Sequence, residues 1–187
     1  MNLWSRPRSW NPSLPDGPDP VQAVIGWRVW RVDARYRLRS ALRDEPWEPR
    51  RPLVAACDAG HRAPEECCTC GVYAVHSAED AAAYLVGRNS PEAVHRVLGR
   101  VALWGRVVEC EHGWRAERAY PAQLWVPDCG WAGSIAGKAG DARPASRGAC
   151  GAPGGFEIAF ELGRYGVPVE IVAARWPADV VLAALAA

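Results

Sequence analysis

The stretch Val97-Leu-Gly-Arg-Val-Ala-Leu-Trp-Gly-Arg-Val-Val-Glu-Cys-Glu111 and its continuation Trp114-Arg-Ala-Glu-Arg-Ala-Tyr-Pro-Ala-Gln-Leu-Trp-Val126 decide the fold. Val101, Leu103, Val107 and Val108 suit a pleated, half-buried surface. Gly99 and Gly105 interrupt them, and glycine inside a long strand marks a bulge or bend. Glu111, His112 and Gly113 read as a turn, after which Trp114 to Val126 returns as the partner strand, broken at Pro121. Trp104 and Val107 are expected in the core of this hairpin.

Working outward, the run from Ala23 places Val24, Gly26, Arg28 and Trp30 on one parity and Ile25, Trp27, Val29 and Arg31 on the other, which predicts a central strand covered on both faces. Asp33, Ala34 and Arg35 form a turn, and Tyr36 to Leu42 alternates as a strand with a basic outer face. Residues 44–70 are loop-like, with Pro46, Pro49, Pro52 and Pro64. Cys70 to His76 reads as a short strand. Ser77 followed by Asp80 has capping-box spacing and predicts a helix from Ala78 to Val86. Phe156 to Arg164 predicts a helix, Val167 to Val172 a strand, and a last helix starts at Ala178. The expected class is α+β, a single domain on a twisted, mainly antiparallel sheet with a few short helices.

A chain of 187 residues, 49% of them hydrophobic, can bury one core without disulfides. That domain spans 21–187, with a mobile Gly/Ala/Pro-rich loop at about 127–155. Residues 1–20 form an extended arm, because five prolines (Pro7, Pro12, Pro15, Pro18 and Pro20) cannot propagate a helix or a ladder. Trp4 and Trp10 argue that the arm docks on its own domain. The formal net charge of +1 gives no global reason to bind nucleic acid or an anionic membrane. Lys138 is the only lysine, a bias that fits a GC-rich genome rather than a function. Met1 to Pro20 lacks the apolar run of a secretory signal, and no stretch approaches the roughly 18 apolar residues of a membrane span. A soluble, cytoplasmic protein is expected. In that compartment 7 cysteines point to metal binding or burial rather than disulfides.

Cys57, His61, Cys67, Cys68 and Cys70 fall within 14 residues. Thiolate and neutral imidazole are the donors tetrahedral zinc prefers, and a closed structural site takes four. Cys57, His61, Cys68 and Cys70 form one set, with Cys67 able to replace Cys68 through the commoner two-residue spacing. The competing readings are buried free thiols and a redox pair at Cys67 and Cys70. Trp27, Arg28, Trp30, Arg31, Arg35, Tyr36, Arg37 and Arg39 mix arginine with stacking aromatics, as single-stranded nucleic acid sites do. Core tryptophans and a solvated arginine face account for them more simply. Cys110 and His112 are too ordinary a pair to imply nucleophilic chemistry.

Gly71-Val72-Tyr73-Ala74 followed by Ser77, Ala81, Ala82 and Tyr84 resembles the strand-to-helix stretch of ADP-ribosyltransferase-like folds. The resemblance covers about 15 residues, and Glu117, Tyr120, Gln123 and Leu124, or Glu109 and Glu111, resemble that family's glutamate strand. It implies NAD as cofactor, Tyr73 and Tyr84 around its nicotinamide, and Arg28 with Glu117 or Glu111 as catalytic residues. The family's Ser-Thr-Ser strand is missing. Cys68-Thr-Cys-Gly-Val-Tyr-Ala74 and Leu103-Trp-Gly-Arg-Val-Val-Glu109 with Trp114-Arg-Ala-Glu117 also resemble small actinobacterial proteins, a likeness over about residues 26–126 that assigns no activity. The expected function is a zinc-clipped binding or regulatory module for an unassigned protein or small-molecule ligand. The alternative is an ADP-ribosyltransferase-like enzyme using NAD.

Overall fold

The computed structural model describes residues 23–43, 45–85, 93–128, 154–174 and 177–187. The proline-rich arm and most of the loop expected at 127–155 lie outside them. In chain order the elements are β1 Val24–Asp33, β2 Leu38–Ser40, β3 Pro46–Trp47, β4 Leu53–Val54, β5 Val72–Val75, α1 Ala78–Ala82, β6 Ala93–Cys110, β7 Gly113–Pro127, α2 Gly155–Leu162, a single 3-10 turn at Gly163–Tyr165, β8 Val169–Val172 and α3 Pro177–Ala186. The fold is α+β, on one eight-stranded sheet. Among the described residues no helix is long and apolar enough to cross a membrane.

β1 is central, as its two apolar parities require. One edge pairs with β6 from Val24↔Leu103 to Asp33↔Ala93; the other pairs with β2 and, at Trp27↔Val75, with β5. β6 pairs with β7 from Leu98↔Trp125 to Cys110↔Gly113, and β7 pairs with β5 from Val72↔Ala116 to Val75↔Gly113. The pairings β1–β6–β7–β5–β1 therefore close a ring. β3 extends the β2 side, β4 lies along β7, and β8 adds to β7 in parallel.

The long hairpin bends into this ring at two register shifts, Arg100/Val101 and Trp104/Val107. The first lies opposite Pro121, which has no N–H for the ladder and is tolerated at a bulge. The second contains Gly105 at φ +81°, a left-handed conformation that favours glycine. The expected break at Pro121 is thus a bulge in a continuous strand. Gly99 serves a different need, since a Cβ there would lie 2.3 Å from the Gln123 carbonyl oxygen and 2.8 Å from the Trp30 ring.

Strand alternation divides the core between two faces. Trp30, Val32, Val97, Val101, Leu124 and Val126 pack with Ile158, Leu162 and Tyr165 of the α2 region. Val29, Leu98 and Trp125 face the other way, onto Ala78 and Ala81 of α1 and Val180, Val181 and Ala184 of α3. Trp104 is buried and Val107 packs partly buried against the first cluster. Ser77 caps α1, its Oγ accepting from the Asp80 N–H at 3.1 Å. β2 is shorter than expected because Tyr36 takes φ +56° and Asp33 accepts the Arg35 and Arg37 N–H groups at 2.9 and 3.0 Å. The turn therefore runs on to Arg37.

Candidate metal centre and the adjoining cavity

The segment between β4 and β5 has little apolar surface of its own, so its shape depends on polar anchors. Gly60 N–H donates to the Cys57 carbonyl at 3.0 Å and Cys68 N–H to the Glu65 carbonyl at 3.1 Å, two turns that fold the segment back on itself. They gather Cys57, His61, Cys68 and Cys70, whose donor atoms all lie within 4.8 Å of one another. This group could hold a metal ion. Cys57 Sγ is 3.8 Å from Cys68 Sγ, and zinc–sulfur bonds of about 2.3 Å at the tetrahedral angle separate two sulfurs by about 3.8 Å. His61 places Nε2 3.3 Å from Cys57 Sγ and Nδ1 3.8 Å from Cys70 Sγ, so either nitrogen can be the donor. Cys67 is exposed and outside the cluster. Of the two sets legible in the sequence, the geometry selects the one with Cys68.

The thiols do not ionise alike. The Cys70 N–H is the main influence drawing Cys68 down to about 7. For Cys57 the Ala59 N–H acts downward, but burial and the neighbouring Cys68 and Cys70 thiols together push it above its usual value. Adjacent thiolates repel, and a divalent cation removes that obstacle.

Three residues of the long hairpin frame the segment. Arg115 Nη1 donates to the carbonyls of Glu65 at 3.2 Å, Cys70 at 3.1 Å, and Cys68, while its Nε donates to Cys110 Sγ at 3.3 Å. Arg106 pairs with Glu65 at 3.0 Å. Glu117 takes Arg62 at 2.6 Å and the Arg106 N–H at 3.2 Å, and its own carbonyl accepts the Ala55 N–H at 2.7 Å. Burial would raise the Glu117 carboxyl, but Arg62 and the Arg106 N–H outweigh it and hold it below the usual range.

A cavity of about 560 Å³ opens where the metal segment runs into β5. Trp27, Tyr73, Tyr84 and Trp114 supply aromatic walls, Thr69 and Gly71 belong to the metal segment's end, and Arg28, Ser40, Arg43, Glu45, Glu111 and His112 supply polar groups. Arg28, Tyr73, Tyr84 and Glu111, singled out in the sequence, thus meet in one place. Glu117 does not join them and serves instead as an anchor of the metal segment. Arg28 Nη1 donates to the Tyr73 carbonyl and Nη2 to Ser40 Oγ at 3.0 Å, with the guanidinium 5.1 Å above the Trp47 ring. Burial lowers its pKa to about 10, so it stays cationic.

No family model, curated protein or solved structure matches this chain.

Arg115, Arg62 and Ser40 went unread in the sequence. In sequence Arg115 is one more cation on β7, and its acceptors are carbonyls some 45 to 50 residues away, which carry no side-chain signature. The basic and aromatic mixture of β1 and β2 is largely spent inside the fold. Trp30 is fully buried, Arg31 Nε donates to the Ser40 carbonyl, and Arg37 and Arg39 clasp Asp33 at 3.1 and 2.9 Å.

Proposed function

We propose that this chain is a zinc-clipped binding module of the cell interior, in which Cys57, His61, Cys68 and Cys70 hold one zinc ion and the ordered segment forms part of the wall of a ligand cavity. The observation that carries the reading is that three thiols and an imidazole place their donor atoms within 4.8 Å of one another, with Cys57 and Cys68 Sγ 3.8 Å apart. With all four positions taken by side chains, zinc supplies folding free energy rather than an open catalytic position. Reduced thiols fit a cytoplasmic setting. Two residues after Cys70 the chain enters β5, so order at the metal passes directly to Val72 and Tyr73 in the cavity wall. Protein purified without added metal is expected to carry about one zinc per chain by elemental analysis. Absence of zinc, iron and every other transition metal removes the reading.

A second reading, an ADP-ribosyltransferase-like enzyme using NAD, draws on one observation: Arg28, Tyr73, Tyr84 and Glu111 line the same cavity. Under it Glu111, and not Glu117, is the carboxylate to test. Millimolar NAD would then raise the melting temperature by mass action, and an unchanged temperature eliminates this reading while leaving the binding module intact.

A further inference from the structure

Arg28 is a half-buried charge on the cavity. Among the described residues its guanidinium bonds only neutral acceptors, the Tyr73 carbonyl and Ser40 Oγ, and its buried Nε has no acceptor. Among the described residues no carboxylate pairs with it; Glu45 acts on it only through space. Glu45 is half-buried as Arg28 is, and Arg43 and Glu111 are exposed. Ser40 adds to the imbalance. Its buried Oγ accepts from Arg28 Nη2 at 3.0 Å and from Trp47 Nε1 at 3.1 Å, which leaves the hydroxyl hydrogen to be donated. The inner end of the cavity is therefore rich in donors, and among the described residues its cation has no carboxylate in contact with it, an arrangement that favours an incoming anion. The walls ask for something else. Trp27, Tyr73, Tyr84 and Trp114 offer aromatic surface around a volume of about 560 Å³, within the range of small-molecule sites.

We propose that the cavity binds a small aromatic carboxylate, with its carboxylate toward Arg28 and Ser40 and its flat body between the aromatic walls. The inference rests on the binding-module reading and names the chemistry of its ligand. Shape and charge are separable, because an amide of the same shape keeps the stacking and loses the ion pair.

The test is calorimetric titration of the whole, metal-loaded protein with 2-naphthoate, 2-naphthamide and 2-naphthylmethylamine. The acid is expected to bind at least about tenfold more tightly than the amide, as a hydrogen bond to a charged group implies, and the amine more weakly than either. Arg28→Gln is expected to bring acid and amide within about twofold of each other. Acid and amide binding equally to the unaltered protein overturns the carboxylate assignment and leaves a binding cavity of another specificity. Binding by none of the three overturns both the assignment and the cavity's role as a ligand site, while zinc analysis judges the metal clip separately. The comparison on the unaltered protein decides the matter even if Arg28→Gln does not fold.

Discussion

At the scale of single residues, two adjacent cysteines are placed differently. Cys68 Sγ lies in the cluster and Cys67 is exposed, so Cys68→Ser should abolish stoichiometric zinc while Cys67→Ser retains about one zinc per chain by elemental analysis. Equal zinc in both variants would contradict the ligand set. Glu117 is the second case. Its carboxylate ties Arg62 and the Arg106 N–H to β7, so Glu117→Gln should lower stability by about 0.5 to 1.5 kcal/mol, the net worth of a typical hydrogen bond, since Arg62 is largely exposed. Because its pKa in the fold lies below the unfolded value, the unfolded chain binds the extra proton first. The contribution of Glu117 is thus complete above the unfolded value and is lost as pH falls through the lower, folded one. Acid titrations of the two proteins should show a shallower loss in the variant below about pH 4. The donors were readable in the sequence because soft ligands crowded one loop. The choice of Cys68 over Cys67 was not, since it depends on a turn closed by Glu65, nor was the contact of Glu117 with Arg62, because an alternating strand does not say which side chain a distant arginine will reach.

At the scale of elements, the β6–β7 hairpin is the feature on which the rest depends. Gly99→Ala should cost about 1 to 3 kcal/mol, the usual penalty for overpacking, because the new methyl would meet the Gln123 carbonyl, which belongs to the ladder and cannot turn aside. Trp104→Ala should cost about 3 to 5 kcal/mol through the void it leaves at a site only 4% exposed. Urea unfolding measures both, and a near-neutral Trp104→Ala would refute its place in the core. The strands announced themselves through alternation, as at Trp30 and Val32 against Val29, and α1 through the Ser77 cap. β3 and β4, two residues each, are too short to carry a period. The closure of β5 onto β1 was invisible as well, since one register pair, Trp27↔Val75, leaves no mark on either segment.

At the scale of the molecule, the candidate metal cluster and the cavity are contiguous, since the segment bearing Cys57, His61, Cys68 and Cys70 leads into β5 and β5 completes the ring. Chelation of the metal should lower the melting temperature by about 5 °C or more, given that about 1 kcal/mol shifts a domain of this size by about 2–4 °C. An unchanged temperature after verified metal removal would mean that the clip orders nothing beyond itself. The ring itself is uneven. Its β6 contacts are long ladders, whereas the seam between β1 and β5 rests on that single register pair and the Arg28 bond to the Tyr73 carbonyl. Local opening begins where fewest backbone bonds must break. The Val75 amide should therefore exchange with deuterium well before those of Val97 to Leu103. Parting of this seam would separate Arg28 from the Tyr73 carbonyl while the hairpin stays folded, so the cavity can change shape without the domain unfolding.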